Sequence, residues 1–343
     1  MNIDEPTPNQ FRVIKDDIEI LDEIGKGGFG KVYKIRDNKN GGKIMAMKIL
    51  LPIREIQPDP DNPGEPEQTI IRRFKKEISF AISIEHINIV RGYEPVIFES
   101  SIGYTMEFIN GSNLDEYLYE FSGRMNPAEM RHIIQEMLEA LVEIHRHNIL
   151  HRDLKLANII LSENQKFKRV VKVADFGLIR DLDPNKQKLT RANTAVGTFG
   201  YLPPEYFFKG IFNEQSDLYA CGLILYELIS GKPRFDNSIQ MPDELEQIKK
   251  VVYKHPKLKV APEFEYLAKI AEKALSLNPE DRFESAQEML DVVVGEKKIE
   301  QCKRPEQKHV SRQGFRINVY HIAIVLLVIS AVLTVLILFT FNV

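Results

Sequence analysis

Cysteine is scarce in this chain. Only Cys221 and Cys302 occur among 343 residues, too far apart for a disulfide framework, so a reducing compartment is the default. No Cys/His spacing suited to a metal is present. Neither sign of charge dominates: the formal net charge is -3, which argues against bulk electrostatic binding, and no nucleic-acid partner is expected. The opening MNIDEPTPNQ lacks the basic start and apolar stretch of a secretory leader. No internal repeat appears. With 43% hydrophobic and 28% charged residues, the chain can bury one large core or two small ones.

One further absence is local. From 322 to 341 there is no charge, and only Ser330, Thr334 and Thr340 are polar. At ~1.5 Å per residue such a run is about 30 Å long as a helix, the thickness of a hydrocarbon core. A buried core helix of this length would keep a polar face, and this run has none. A single-pass membrane helix at 322–341 is therefore expected. Lys297, Lys298, Lys303, Arg304, Lys308, Arg312 and Arg316 precede it, and only Asn342 and Val343 follow. The basic side stays in the cytoplasm, which predicts a cytoplasmic N-terminal part hung from a C-terminal anchor. The basic juxtamembrane linker, 293–321, is a solvated spacer that also suits anionic lipid headgroups of the bilayer.

The rest divides into two regions of different pattern. Residues 1–17 read as a flexible arm. From Ile18 the runs IEILDEIG, KVYKIRD and KIMAMKIL are strand-like, the last two separated by the turn cluster 38–42. Pro52, Pro58, Pro60, Pro63 and Pro66 mark a loop. A helix is expected over 69–83, and strands over RGYEPVIF and SIGYTMEF. Beyond Gly111 helices take over. Asn126-Pro127-Ala128-Glu129 is a helix start, with a capping residue, proline at the first position and glutamate at the third. Met130, Ile133, Ile134, Met137, Leu141 and Ile144 follow at helical spacing. Another helix fits 216–230, stopped by Gly231 and Pro233.

Three stretches carry chemistry. Gly25, Gly27 and Gly30 form G-x-G-x-x-G in IGKGGFGKV, where the lack of Cβ atoms lets backbone approach a phosphate. A dinucleotide-binding turn needs a helix next; here a strand follows. A plain glycine-rich hairpin remains the competing reading. Lys48 lies among apolar strand residues and needs an anion or an exit to water. Glu77, on the helix containing FKKEISF, can be that anion. Finally, NILHRDLKLANIIL sets His151, Arg152, Asp153, Lys155 and Asn158 between apolar flanks. So polar an interior needs partners or work to do. Asp175 ends the apolar strand VVKVA. Asp153, Asn158 and Asp175 offer oxygen ligands suited to Mg2+.

In this order, GKGGFGKV, MAMK, HRDLKLAN, DFG and GTFGYLPPE resemble the motif set of a eukaryotic-type (Hanks-type) protein kinase. The resemblance spans 18–292. It implies an α+β, bilobal fold, with a β-rich N-lobe and a helical C-lobe, in addition to the C-terminal membrane helix. It implies an ATP- and Mg2+-dependent serine/threonine kinase acting on protein hydroxyls, with self-phosphorylation in trans as one outcome. In such a kinase Ile24, Gly25, Lys26, Gly27, Gly28, Phe29, Gly30, Lys31 and Val32 form the loop over ATP. Lys48 contacts the α- and β-phosphates and pairs with Glu77. Asp153 accepts the substrate proton, and Lys155, the serine/threonine-type signature, neutralises charge on the transferring phosphate. Asn158 and Asp175 hold the metal. Arg152 would hold a phosphorylated Thr194; Thr198 would contact the catalytic loop; Glu205 and Arg282 would form a buried ion pair; and Asp217 would brace the catalytic loop. Pro203 departs from the family's Ala-Pro-Glu, a mild change beside an intact Pro-Glu. A membrane-tethered pseudokinase acting as a binding scaffold is the alternative, and the filled catalytic positions weigh against it.

Overall fold

The computed structural model describes residues 5–14, 16–27, 29–52, 67–120, 125–163, 169–175, 201–231 and 258–302. The apolar run at 322–341, the basic linker beyond Cys302, most of the proline-rich stretch, Gly28, and Thr190, Thr194 and Thr198 lie outside the described residues. Among the described residues no helix is long and apolar enough to cross a membrane.

The first lobe is a six-stranded sheet in the order β1-β5-β6-β4-β3-β2. Its strands are β1 (Arg12–Val13), β2 (Ile18–Lys26), β3 (Gly30–Asp37), β4 (Lys43–Leu50), β5 (Gly92–Phe98) and β6 (Ser101–Glu107). The turn between β3 and β4 falls where the Asn/Gly cluster predicts it. Asp37 accepts from the backbone N–H of Lys39 at 3.0 Å and Asn40 at 3.3 Å, and Gly41 takes φ 71°, a left-handed backbone open to glycine at no steric cost. Helix α1 (Glu67–Ser83) lays Ile70, Phe74, Ile78 and Ala81 against Leu50, Leu51 and Tyr104 of the sheet side. These positions recur every three or four residues, the spacing of one helical face. Glu77 is buried with them.

The expected flexible arm at 1–17 needs correction. From Arg12 it joins the sheet, running parallel to β5 with Arg12 opposite Val96 and Val13 opposite Ile97. The cause is a convergence of charge that no local pattern announces. The Arg12 guanidinium donates to Asp37 at 2.8 Å, to Glu94 at 2.8 Å and also to Asp17. Its hydrogen bond, set against the cost of burial, lowers the Asp37 carboxyl from 3.8 to about 2. A depressed carboxylate contributes stability above its unfolded pKa and loses it as pH falls through the folded value. Acid titration followed by tyrosine fluorescence should therefore show this contribution intact down to pH 3.8 and lost from there toward pH 2. An Asp37→Asn variant with the same acid-unfolding curve as the parent would contradict this.

The second lobe is helical. Among the described residues its helices are α2 (Leu114–Glu120), α3 (Pro127–Arg146), α4 (Pro204–Lys209), α5 (Glu214–Ser230), α6 (Glu265–Ala274) and α7 (Ala286–Val294). The predicted start of α3 is realised: Asn126 Oδ1 accepts from Glu129 N at 3.0 Å, and Asn126 N donates to the Glu129 carboxylate at 3.2 Å. Ile134, Met137, Leu138 and Leu141 of α3 share one core with Leu218, Ile224, Leu225 and Leu228 of α5. Gly222 lets α5 and α6 approach closely, since a Cβ there would stand 2.7 Å from that of Ala274. A small antiparallel sheet, β7 (Gly111–Asn113), β8 (Ile159–Ser162) and β9 (Val170–Val173), carries the polar run ahead of β8 and Asp175 beyond β9.

Candidate active site

The glycine-rich turn joins β2 to β3. Gly27 N donates to Gly30 O at 2.8 Å, which closes it. A Cβ on Gly30 would stand 2.9 Å from Ile49 O and 3.5 Å from Lys48 Cε, so this position needs glycine for the loop to sit against the Lys48 strand. Gly25 pairs with Val32, and Val32 with Lys48, in strand register. Ile24 and Lys26 are exposed, and Lys31 lies 3.4 Å from Glu23. Phe29 instead turns inward and packs on the α1 cluster. The predicted phosphate loop and the predicted lysine thus lie together, apart from Gly28.

Lys48 is 8% exposed. Its ammonium donates to Glu77 Oε1 at 2.7 Å and also to Asp175 Oδ1. The expected pairing of Lys48 with Glu77 is therefore met in space. Burial works against the ammonium charge, but Asp175 and Glu77 outweigh it and hold the Lys48 pKa well above its ordinary value. Burial raises the Glu77 carboxyl, against the pull of Lys48. Tyr104 was invisible as a site residue in the sequence. Its hydroxyl donates to Glu77 Oε1 at 3.0 Å, a second donor fixing the carboxylate, from the strand beside that of Lys48. An aromatic within SIGYTMEF reads as core, and Tyr104 is also core, at 3% exposure.

The polar run is held from beneath by Asp217, which is fully buried. Its carboxylate accepts from His151 N and Arg152 N, each at 2.9 Å, and lies 2.9 Å from His145 Nε2. Arg152 is thereby fixed at φ 66°, a left-handed conformation that costs free energy for a residue with a side chain and persists where its surroundings over-determine it. Burial lowers the His151 pKa, favouring a neutral ring. The apolar flanks do anchor this loop: Ile159 and Leu161 belong to the C-lobe core and Ile149 packs against it, while Leu154 and Leu156 anchor it from within the run.

Asp153 is the most telling group. One oxygen, Oδ2, accepts from Lys155 Nζ at 2.7 Å and from Asn158 Nδ2 at 3.0 Å. The other, Oδ1, is buried without a hydrogen-bond partner among the described residues. A buried unpaired acceptor is costly and asks for an explanation. Asn158 also donates to Asp153 O at 2.7 Å, which turns its amide nitrogen inward. Ala174 N donates to Asn158 O at 2.9 Å, bringing the next residue, Asp175, beside the loop. Asp175 adopts φ 59°. Desolvation of the carboxyl would raise its pKa, but Lys48 outweighs it and lowers it, although the Asp175 side chain itself is 45% exposed. A cleft beside Asp153 is lined by Leu154, Tyr201, Leu202, Phe212 and Ala220.

A second contact missed in the sequence ties the strand before Asp175 to the end of β6. Lys172 Nζ donates to Glu107 Oε1 at 2.6 Å, and the same oxygen accepts from Arg91 N at 2.8 Å. No local spacing marks that pair.

Comparison with known proteins agrees with this geometry. The family model described as "Protein kinase domain" matches residues 18–293. The "Probable serine/threonine-protein kinase PknB" of Lactococcus lactis subsp. lactis is 31% identical over 303 residues, 87% of this chain and 44% of that protein. The serine/threonine-protein kinase PrkC of Bacillus subtilis is 33% identical over 219 residues, 64% of this chain and 31% of that protein. The chain thus spans less than half the length of these two relatives. A solved mutant of the Mycobacterium tuberculosis PknI kinase domain superposes with TM-score 0.56 at 21% identity, covering 81% of this chain and 95% of that one, a likeness of fold.

Proposed function

This chain belongs to the protein kinase family, and from that premise we propose that it transfers the terminal phosphate of ATP to serine and threonine hydroxyls of proteins. The observation that carries the reading is Oδ1 of Asp153, buried and without a hydrogen-bond partner among the described residues, beside side chains of Lys155 and Asn158 that are both committed to Oδ2. A substrate hydroxyl in the adjoining cleft would give its proton to that oxygen. Lys155, already on Oδ2, would stand ready to offset charge on the transferring group. Lys48, held by Glu77, would contact phosphate oxygens, and the Gly25-to-Gly30 backbone would lie over them.

The donor set fits a hard divalent cation. Asn158 turns its amide nitrogen toward Asp153, which leaves its carbonyl oxygen for a metal, and Asp175 supplies a carboxylate; oxygen ligands of this kind suit Mg2+. Such an ion would offset phosphate charge when bound. Positioning and charge neutralisation are the main sources of rate in phosphoryl transfer, and these residues supply both.

The test is incubation of the full chain with labelled ATP and an acceptor protein, followed by phosphoamino-acid analysis. Phosphoserine or phosphothreonine that disappears in Asp153→Asn supports the reading. ATP binding without transfer would favour the scaffold reading. Membrane attachment through 322–341 is a further part of the proposal, supported by the absence of charge over that run and the basic residues before it. Release of the full chain from membranes by an alkaline wash would sink that part.

A further inference from the structure

The segment ahead of β2 packs into two separate apolar clusters of the N-lobe, and one of them contains the buried face of α1. Ile14 is 7% exposed and packs in the core of Ile35, Met47 and Val96, with Ile14 N donating to Ile97 O at 2.9 Å. Phe11 packs instead on the cluster of Ile70, Phe74, Ile78 and Tyr104. Between them Arg12 is locked by three carboxylates, Asp17, Asp37 and Glu94. An outer ion pair joins Glu5 to Arg72 of α1 at 3.4 Å; being exposed, it adds little.

We propose that residues 5–14 are a built-in strut for α1, with Phe11 and Arg12 as positioning residues for the Lys48–Glu77 pair. Glu77 lies one turn from Phe74 and next to Ile78, the side chains of the cluster that Phe11 covers. Tyr104 belongs to that cluster and donates to Glu77. A ring packed on that cluster is joined through it to both the helix that carries Glu77 and the strand residue that bonds to it. Arg12 sets where Phe11 sits, because a guanidinium held by three carboxylates on β3, β5 and the turn before β2 leaves the adjacent residue little freedom. The strut therefore acts on the lysine–glutamate pair through α1 without touching substrate.

That the pair serves phosphate transfer rests on the function proposed above; that α1 depends on the strut does not. The experiment has two arms so that the two can fail separately. In the first, hydrogen exchange is followed by mass spectrometry on the full chain without nucleotide. Phe11→Ala should speed exchange of the α1 amides about tenfold, through local rather than global opening, and leave α3 and α5 unchanged. Phe11→Leu should stay near the parent. Arg12→Gln, which keeps the aromatic ring but frees the carboxylates, should repeat the Phe11→Ala pattern. Unchanged α1 exchange, or an equal rise in every helix, overturns the strut. In the second arm, transfer rates are compared. Phe11→Ala should slow the parent, yet add nothing to a Glu77→Gln background, the non-additivity of two residues acting through one pair. Full additivity overturns the proposal. A parent that transfers no phosphate refutes the kinase reading alone, and the exchange data still decide the strut.

Discussion

Asp153→Asn should lower kcat by about 10²–10⁴-fold, the span typical of a lost general base, while ATP affinity stays within a few-fold. The substitution keeps shape and removes basicity. In the native loop one carboxylate oxygen is committed to Lys155 and Asn158, and the other has no partner among the described residues. An amide presents either its oxygen or its NH2 group at each of these places. With the oxygen toward Lys155 and Asn158, the cleft receives a donor where it needs an acceptor. With the oxygen toward the cleft, the NH2 group meets the Lys155 ammonium. Neither arrangement accepts a proton. Residues assigned to the phosphates, Lys48 above all, lie on the other lobe, so binding of nucleotide should survive. A fall in kcat with little change in KM for ATP is the pattern of an interaction used in the transition state only. Initial-rate kinetics check it, and a kcat within about threefold of the parent would remove Asp153 from the chemistry.

The largest stability effect is expected at Arg282, in the C-lobe. Arg282 is 1% exposed. Its guanidinium donates to Glu205 at 2.8 and 2.6 Å, to Gln215 O at 2.7 Å and Leu277 O at 3.3 Å, and its Nε to Ser276 O at 2.8 Å. The same group lies 4.8 Å from the Tyr219 ring centre. Arg282→Met would strand the Glu205 carboxylate in the core with Ser216 Oγ, at 2.6 Å, as its remaining side-chain donor among the described residues. Breaking a buried pair from one side costs about 3–5 kcal/mol. Urea denaturation should show that loss. The double variant Glu205→Gln/Arg282→Met should recover part of it, because no lone buried charge remains. A loss below about 1 kcal/mol, the worth of an exposed pair, would mean that solvent reaches Glu205. The pair also matters to the site. Glu205 lies in the first turn of α4, four residues after Tyr201, which lines the cleft beside Asp153.

How much of this was legible beforehand depends on how local each cause is. The α3 start was readable because Asn126, Pro127 and Glu129 are neighbours that cap one another. The β3–β4 turn was readable for the same reason. Lys48, Asp153, Asn158 and Asp175 could be grouped because several short motifs stand in one order, and order survives in a one-dimensional string. Tyr104 and the Lys172–Glu107 pair could not be read. Each joins elements far apart in sequence, and each looks in sequence like ordinary strand composition. The arm was misread because polarity near a terminus suggests flexibility, whereas its order comes from three acids far apart in sequence that meet at Arg12. Thr194, the candidate regulator, lies outside the described residues.

The central claim is that Lys48, Asp153, Asn158 and Asp175 form one centre for phosphate transfer. Its most direct measurement is the initial rate of terminal-phosphate transfer from ATP to a protein hydroxyl by the purified full chain as Mg2+ is raised from zero. The account predicts a rate near zero without the ion, a saturating rise with it, and loss of that rise in Asp175→Asn. Transfer that ignores Mg2+, or an Asp175→Asn variant with the parent's response, would contradict it.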